Sequence, residues 1–231
     1  LVLIQLGSIL AVIVLFFHKL NPFSPQKDNK AKTDTWQMWL KVAIGCIPAA
    51  VVGYLLDDFI SAKMDNPLVV SITLILYGIL FIIIENTHRK PKIRNFNDLT
   101  HLHAFFIGVF QTLALIPGTS RSGATILGAM LLGTSRMLAA EYSFFLAIPV
   151  MFGASGLKLV KFFFKEHMTF TSLELWILII GMLVSFLVSL FAIKYLMNFI
   201  KKHDFKPFGY YRITLGIIML LLVLAGIVKT I

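Results

Sequence analysis

Of the chain's 231 residues 58% are apolar and only 14% charged, with a mean hydropathy of +0.86, which leaves too few polar side chains to coat a water-soluble domain of this size. The formal net charge of +10 would suit a nucleic-acid partner on a soluble protein, but the basic residues lie in loops between apolar runs, where they set membrane topology instead. The single cysteine, Cys46, lies in an apolar run and excludes an intramolecular disulfide.

An α-helical membrane bundle follows, because helices satisfy their own backbone polar groups in lipid. The chain opens as LVLIQLGSILAVIVLFF, without a basic flank or a small-residue cleavage site, so it reads as starting within a membrane helix rather than with a signal peptide. The predicted spans are 1–17, 38–56, 67–84, 138–160, 174–196 and 210–228. Pro67 and Pro207 stand at or just before helix starts, where a missing N–H does no harm. Asn21, Pro22 and Pro25 break the polar loop 18–37, and loop 85–100 carries Arg89, Lys90, Lys92 and Arg94.

Residues 101–134 differ from these spans. The apolar stretches 103–116 and 123–134 are each too short for a bilayer core of about 30 Å, and PGTSRS between them holds a helix breaker, a flexible glycine and a charged arginine. Non-helical backbone at membrane depth is tolerated only where protein or a wet cavity surrounds it. A re-entrant hairpin is the economical prediction, with both ends on one side and its tip near the midplane. Fifteen of the 21 Lys and Arg residues then fall on one side of the membrane, which the positive-inside rule makes cytoplasmic.

A faint internal repeat aligns Gln5–Val12 with Glu141–Ile148, and Ile72-Thr73-Leu74 after Pro67 with Ile213-Thr214-Leu215 after Pro207. It divides the chain into a first unit, 1–100, of three spans and a second, 101–231, of hairpin plus three spans. Three crossings make such units antiparallel, an inverted-topology repeat. By this symmetry a first hairpin is expected before residue 1.

The chemistry concentrates in PGTSRSGATI, Pro117 to Ile126. Gly118 and Gly123 let backbone approach a ligand closely. Thr119, Ser120, Ser122 and Thr125 offer hydroxyls, and Arg121 a forked cation that matches phosphate oxygens. A half-helix beginning here would add free N–H groups and a partial positive charge. Together these favour a phosphate. An intramembrane arginine costs at least ~2.5 kcal/mol, which makes Arg121 a functional candidate. The competing reading pairs it with Glu141 as a lock on the bundle. Glu141 itself could be a general acid or base, a metal ligand, or the partner of Arg136 or Arg121, with pairing or support favoured. Gln5 and Gln111, polar within apolar helices, either face the site or hydrogen-bond between helices. His101 and His103 have no acidic cluster beside them and predict no metal site. His18, His88, His167 and His203 lie in loops, and the phenylalanines at 162–164 read as packing or lipid-facing bulk.

The run GVFQTLALIPGTSRSGATI, Gly108 to Ile126, resembles the second signature of the undecaprenyl-diphosphate phosphatases of the bacitracin-resistance (BacA-type) family. IQLGSILAV and EYSFFLAIP resemble that family too, as does the order of spans. The resemblance implies a membrane hydrolase that converts undecaprenyl diphosphate to the monophosphate and inorganic phosphate. That reaction recycles the lipid carrier for peptidoglycan synthesis, cell-wall biogenesis and cell shape, and gives resistance to bacitracin. It further implies an inner-membrane location, an active site opening to the outer face, two re-entrant hairpins, and a divalent cation, magnesium or calcium. By match to the motif, Arg121 and Ser120 would be catalytic. Gly118, Thr119, Ser122, Gly123 and Thr125, with Gln111, would bind substrate, and Glu141 and Gln5 would support the site. The family's first signature, a Glu-rich helix followed by Pro-Ile-Ser-Ser-Thr-Gly-His-Leu, is absent and is expected upstream of residue 1. An inverted-repeat transporter or flippase for an anionic or phospholipid-like substrate is the alternative. Isoprenyl diphosphate and membrane lipids are the expected partners, with homo-oligomerisation left open.

Overall fold

The computed structural model describes residues 2–64, 66–87, 90–160, 164 and 171–228, apart from the side chains of Val2 and residues 57–63. Arg89, Lys161, Lys165, Lys229, His88, His167, Phe162 and Phe163 lie outside the described residues, as does the Lys63 side chain. Helices are α1 (Val2–Leu15), α2 (Phe17–Leu20), α3 (Asn29–Met64), α4 (Pro67–Asn86), α5 (His101–Thr112), α6 (Arg121–Leu131), α7 (Arg136–Val160), α8 (Ser172–Lys202) and α9 (Lys206–Leu224), with a 3-10 turn at Leu113–Leu115 after α5. Among the described residues five helices are long and apolar enough to cross a membrane: α4, α7, α8, α9 and the Asn29–Leu56 part of α3. The protein is an all-α, multi-pass membrane bundle.

Local chemistry explains where the helices depart from the sequence reading. α3 begins at Asn29 rather than 38, because Asp28 Oδ1 accepts the Ala31 N–H at 2.8 Å and caps a polar first turn that hydropathy reads as loop. α4 starts at Pro67, with Asn66 accepting from the Leu68 N–H, and α9 starts at Lys206 with Pro207 in its first turn, as the prolines predict. α1 ends at Leu15 and Phe16 separates it from α2, inside the predicted partial span 1–17.

Contacts divide the chain into two compact units, and their boundaries fall inside α3, α7 and α8. In the unit of residues 1–43 and 144–199, Ser8 Oγ lies 2.8 Å from both Ser185 Oγ and Ser189 Oγ, a hydroxyl ladder joining α1 to α8. Phe16 meets Phe145 edge-on at 5.3 Å, and Trp39 Nε1 donates to the Leu20 carbonyl at 2.8 Å.

The unit of residues 44–143 and 200–231 holds the hairpin. Within it α4 and α9 run antiparallel in close contact: Gly78 faces Gly209, and further along Gly216 faces Ser71. A Cβ on Gly78 would stand 2.7 Å from the Gly209 carbonyl oxygen, so this crossing distance tolerates no side chain there. α5 and α6 form the helical hairpin. Its two ends are sewn together: Lys92 and Ile93 donate to the Gly133 carbonyl at 2.9 and 3.0 Å, and Ser135 donates to the Ile93 carbonyl at 2.8 Å. The chain thus returns after α6 to where it stood before α5. With 12 and 11 residues, the two arms reach roughly 18 and 17 Å as helix, about half a bilayer core.

Candidate active site

The hairpin's ends and tip are set by short-range chemistry. Thr100 caps α5 in a reciprocal box with His103, whose Nδ1 is 2.7 Å from the Thr100 hydroxyl, so the helix starts at His101 and this histidine serves as a cap. Ser120 caps α6 by accepting the Gly123 N–H at 3.2 Å, which starts that helix at Arg121, two residues before the predicted stretch. α6 ends at Leu131, and Gly133 follows at φ +91°, a left-handed stop.

The tip loop, Ile116–Ser120, is pressed onto α4. Gly118 takes φ +83°, and a Cβ there would lie 2.2 Å from Thr73 Oγ1 and 2.7 Å from Val70 Cα. Thr73 Oγ1 lies 2.9 Å from the Pro117 carbonyl oxygen, and Arg212 Nη2 of α9 donates to the Gly118 carbonyl at 2.9 Å. Arg212 also sits over the Tyr77 ring, 5.6 Å from its centroid. Thr119 is buried, its hydroxyl beside Tyr77.

At the start of α6 the donors converge. Ala124 N–H is taken by the Ser120 carbonyl, while the N–H groups of Arg121 and Ser122 have no partner among the described residues. Ser120 Oγ and Ser122 Oγ are 3.1 Å apart, Ser122 exposed and Ser120 half-buried. Arg121 Nη1 is buried without a hydrogen-bond partner, and no carboxylate among the described residues pairs with Arg121. A forked cation with an unfilled buried nitrogen, two free N–H groups and two hydroxyls at a helix N-terminus form a cradle for an anion with several oxygens.

Other predicted residues are placed differently. Thr125 is buried, turned back onto the Arg121 and Ser122 carbonyls and 2.6 Å from Ser143 Oγ of α7, so its hydroxyl is occupied within the fold. Gly123 is buried beside Ser120 and keeps the first turn tight. Gln111 of α5 is buried, and neither its amide oxygen nor its nitrogen has a partner. Glu141 is buried on α7. Gln5 is exposed and belongs to the other compact unit.

The family model described as bacitracin resistance protein BacA matches residues 1–218. The chain belongs to this family. Within it, the undecaprenyl-diphosphatase of Enterococcus faecalis strain V583 is 58% identical over 221 residues, covering 95% of this chain and 80% of the relative. That of Leuconostoc citreum is 55% identical over 228 residues (98% and 80%), and that of Streptococcus thermophilus 54% over 221 residues (95% and 76%). Membership in the BacA family gives the tip cradle its context.

Two residues of this BacA-family chain that anchor the tip and the base of the hairpin escaped the sequence reading. Arg212 was not singled out there, and its tie to Gly118 joins positions 94 apart. Glu85 was not singled out, yet its side chain is only 2% exposed; it holds Arg136 through both Nε and Nη2 and accepts the Phe205 N–H at 2.9 Å. An acidic residue at the end of an apolar span was the available signal for Glu85. Among the described residues no three His, Cys, Asp or Glu side chains come together, so they do not by themselves fit a protein-ligated divalent cation.

Proposed function

We propose that this chain is a membrane phosphatase that hydrolyses undecaprenyl diphosphate to undecaprenyl phosphate and inorganic phosphate, recycling the carrier lipid for cell-wall synthesis and conferring bacitracin resistance. The observation that carries the reading is the buried, unpartnered Nη1 of Arg121 at the free N-terminus of α6. The activity named for the relatives supplies the substrate class. Arg121 and the Arg121 and Ser122 N–H groups bind the terminal phosphoryl oxygens and stabilise the charge that grows on them. Ser120 Oγ accepts from Gly123, so its own proton remains available for a phosphate oxygen or for Ser122. Thr119, Gly118 and Gly123 shape the cradle, Gln111 offers a free amide, and Thr125 and Glu141 act as support from α6 and α7. Water adds to the terminal phosphorus, the anhydride P–O bond breaks, and the lipid monophosphate departs.

The same proposal sets the cradle in the plasma membrane of a bacterium, opening to the outer face, with the hairpin entering from the cytoplasmic side. The lysine and arginine bias supports that orientation. The antiparallel contact of α4 with α9, helices that the repeat makes equivalent, supports the inverted architecture with units 1–100 and 101–231. Dependence on magnesium or calcium belongs to the proposal on the family resemblance alone, and chelation followed by re-addition tests it.

Purified protein given undecaprenyl diphosphate should release stoichiometric inorganic phosphate and leave the monophosphate. Substrate crossing a sealed bilayer intact, with no phosphate released, would overturn the phosphatase in favour of a transporter.

A further inference from the structure

A cavity of about 770 Å³ opens at the base of the hairpin, beyond the C-terminal end of α6, one helix length of roughly 17 Å from Arg121. Its wall is built from helix ends: the last turns of α4 and α6, the first residues of α7, and Ile200 and Lys201 of the last turn of α8. Such ends lie at the boundary between hydrocarbon and water.

The lining is amphiphilic. Ile84, Met130 and Met137 supply an apolar wall. The lining holds three cations, Lys90, Lys201 and Arg136, and one carboxylate, Glu85, which is already committed to Arg136 and the Phe205 N–H. Lys90 and Lys201 are exposed and unpaired among the described residues. The carbonyl ends of α4, α6 and α8 bring about half a negative charge each, against which stand two whole charges and the N-terminus of α7. The balance is positive. Thr134, 5% exposed, lines the cavity with a buried hydroxyl that has no hydrogen-bond partner. An unfilled hydroxyl beside free cations and an apolar wall asks for an anionic headgroup with chains attached.

We propose that this cavity binds the phosphodiester headgroup of an anionic phospholipid, its chains running along Ile84, Met130 and Met137. The bilayer presents such lipids at the height of the helix ends, and basic pockets between membrane helices hold them. Under the orientation proposed above, this is the cytoplasmic leaflet, where anionic lipid is enriched. The site is separate from the tip cradle, so it can be tested without touching that machinery.

The test uses the full chain in phosphatidylcholine nanodiscs, with bound phosphatidylglycerol counted by native mass spectrometry during titration. Phosphatidylglycerol should bind in preference to phosphatidylcholine. Lys90→Gln and Lys201→Gln should each weaken it about fivefold, and together on the order of 25-fold, from about 1 kcal/mol per basic residue. Thr134→Val, which keeps the shape and removes the hydroxyl, should weaken it a few-fold. Unfolding temperature and phosphate release in pure phosphatidylcholine should stay at wild-type values in the lysine variants. Affinity within twofold of wild type in the double lysine variant would overturn the proposal. So would displacement of phosphatidylglycerol by a much lower concentration of an isoprenyl monophosphate, which would make the occupant the reaction product instead.

Discussion

Arg212 Nη2, from the second turn of α9, donates to the carbonyl of Gly118 at 2.9 Å and so ties the tip loop to α9. Buried loop carbonyls in a membrane protein need such donors, because no water competes for them. Arg212 is therefore a positioning residue. Arg212→Met should lower kcat/KM by about 10²-fold, the scale of a 1 Å misplacement, with most of the loss in kcat. Arg212→Lys, which keeps a donor on a long stem, should recover part of it. Wild-type kcat/KM in Arg212→Met would show that the loop holds itself.

Arg121→Lys keeps the charge and loses the fork. The expected outcome is a loss of roughly 10²- to 10³-fold in phosphate release, the scale of removing one transition-state donor, with an unchanged unfolding temperature. Turnover near wild type would make Arg121 structural.

Gly118→Ala meets two separate obstacles, the φ of +83° and a Cβ 2.2 Å from Thr73 Oγ1. Strain of about 1–3 kcal/mol should appear as a lowered unfolding temperature in detergent. Gly118→Ala combined with Thr73→Ala removes the clash with that hydroxyl but not the dihedral cost or the crowding by Val70. It should recover only part of the loss, and full recovery would mean that the backbone relaxes freely.

Glu85 and Arg136 are buried unequally, with side-chain exposures of 2% and 43%. Arg136→Met strands a carboxylate in the interior with only the Phe205 N–H, and should cost about 3 kcal/mol. Glu85→Gln frees a guanidinium that can turn toward water, so solvent screening keeps its cost smaller. Urea or thermal titration of the two variants checks the order, and a larger loss for Glu85→Gln would reverse the burial argument.

In a chain with Cys46 replaced by alanine, cysteines placed at His101 and at Ser135 should be labelled by an impermeant reagent from the same membrane face. The hydrogen bonds from Lys92, Ile93 and Ser135 bring these two ends together. Labelling from opposite faces would exclude a re-entrant hairpin.

Much of this was legible in the sequence. The hairpin announced itself because two apolar stretches were too short to cross and Pro117 and Gly118 break the chain between them, although α6 already begins inside PGTSRS, at Arg121. Prolines marked the starts of α4 and α9. Composition hid the start of α3, since Asn29 to Thr35 is polar and looks like loop until Asp28 is seen capping it. Partnerships across long separations were also hidden. Glu85 with Arg136 and Arg212 with Gly118 lie 51 and 94 positions apart, and neither a period nor a motif encodes such pairs. The residue types at the tip were readable, but Thr125 looked as available as Ser122 until its hydroxyl was found against Ser143.

The tie between Gly118 and Arg212 also orders the protein's birth. A ribosome delivers α5 and α6 to the membrane long before it makes α9, so the tip loop must wait with one carbonyl unanswered while α7 and α8 follow. Two half-length arms with a cationic turn have little reason to stay in lipid by themselves. The hairpin should therefore settle late in biogenesis, once its last donor has emerged, and a chain halted before Arg212 should leave this loop open to proteases that the finished protein resists.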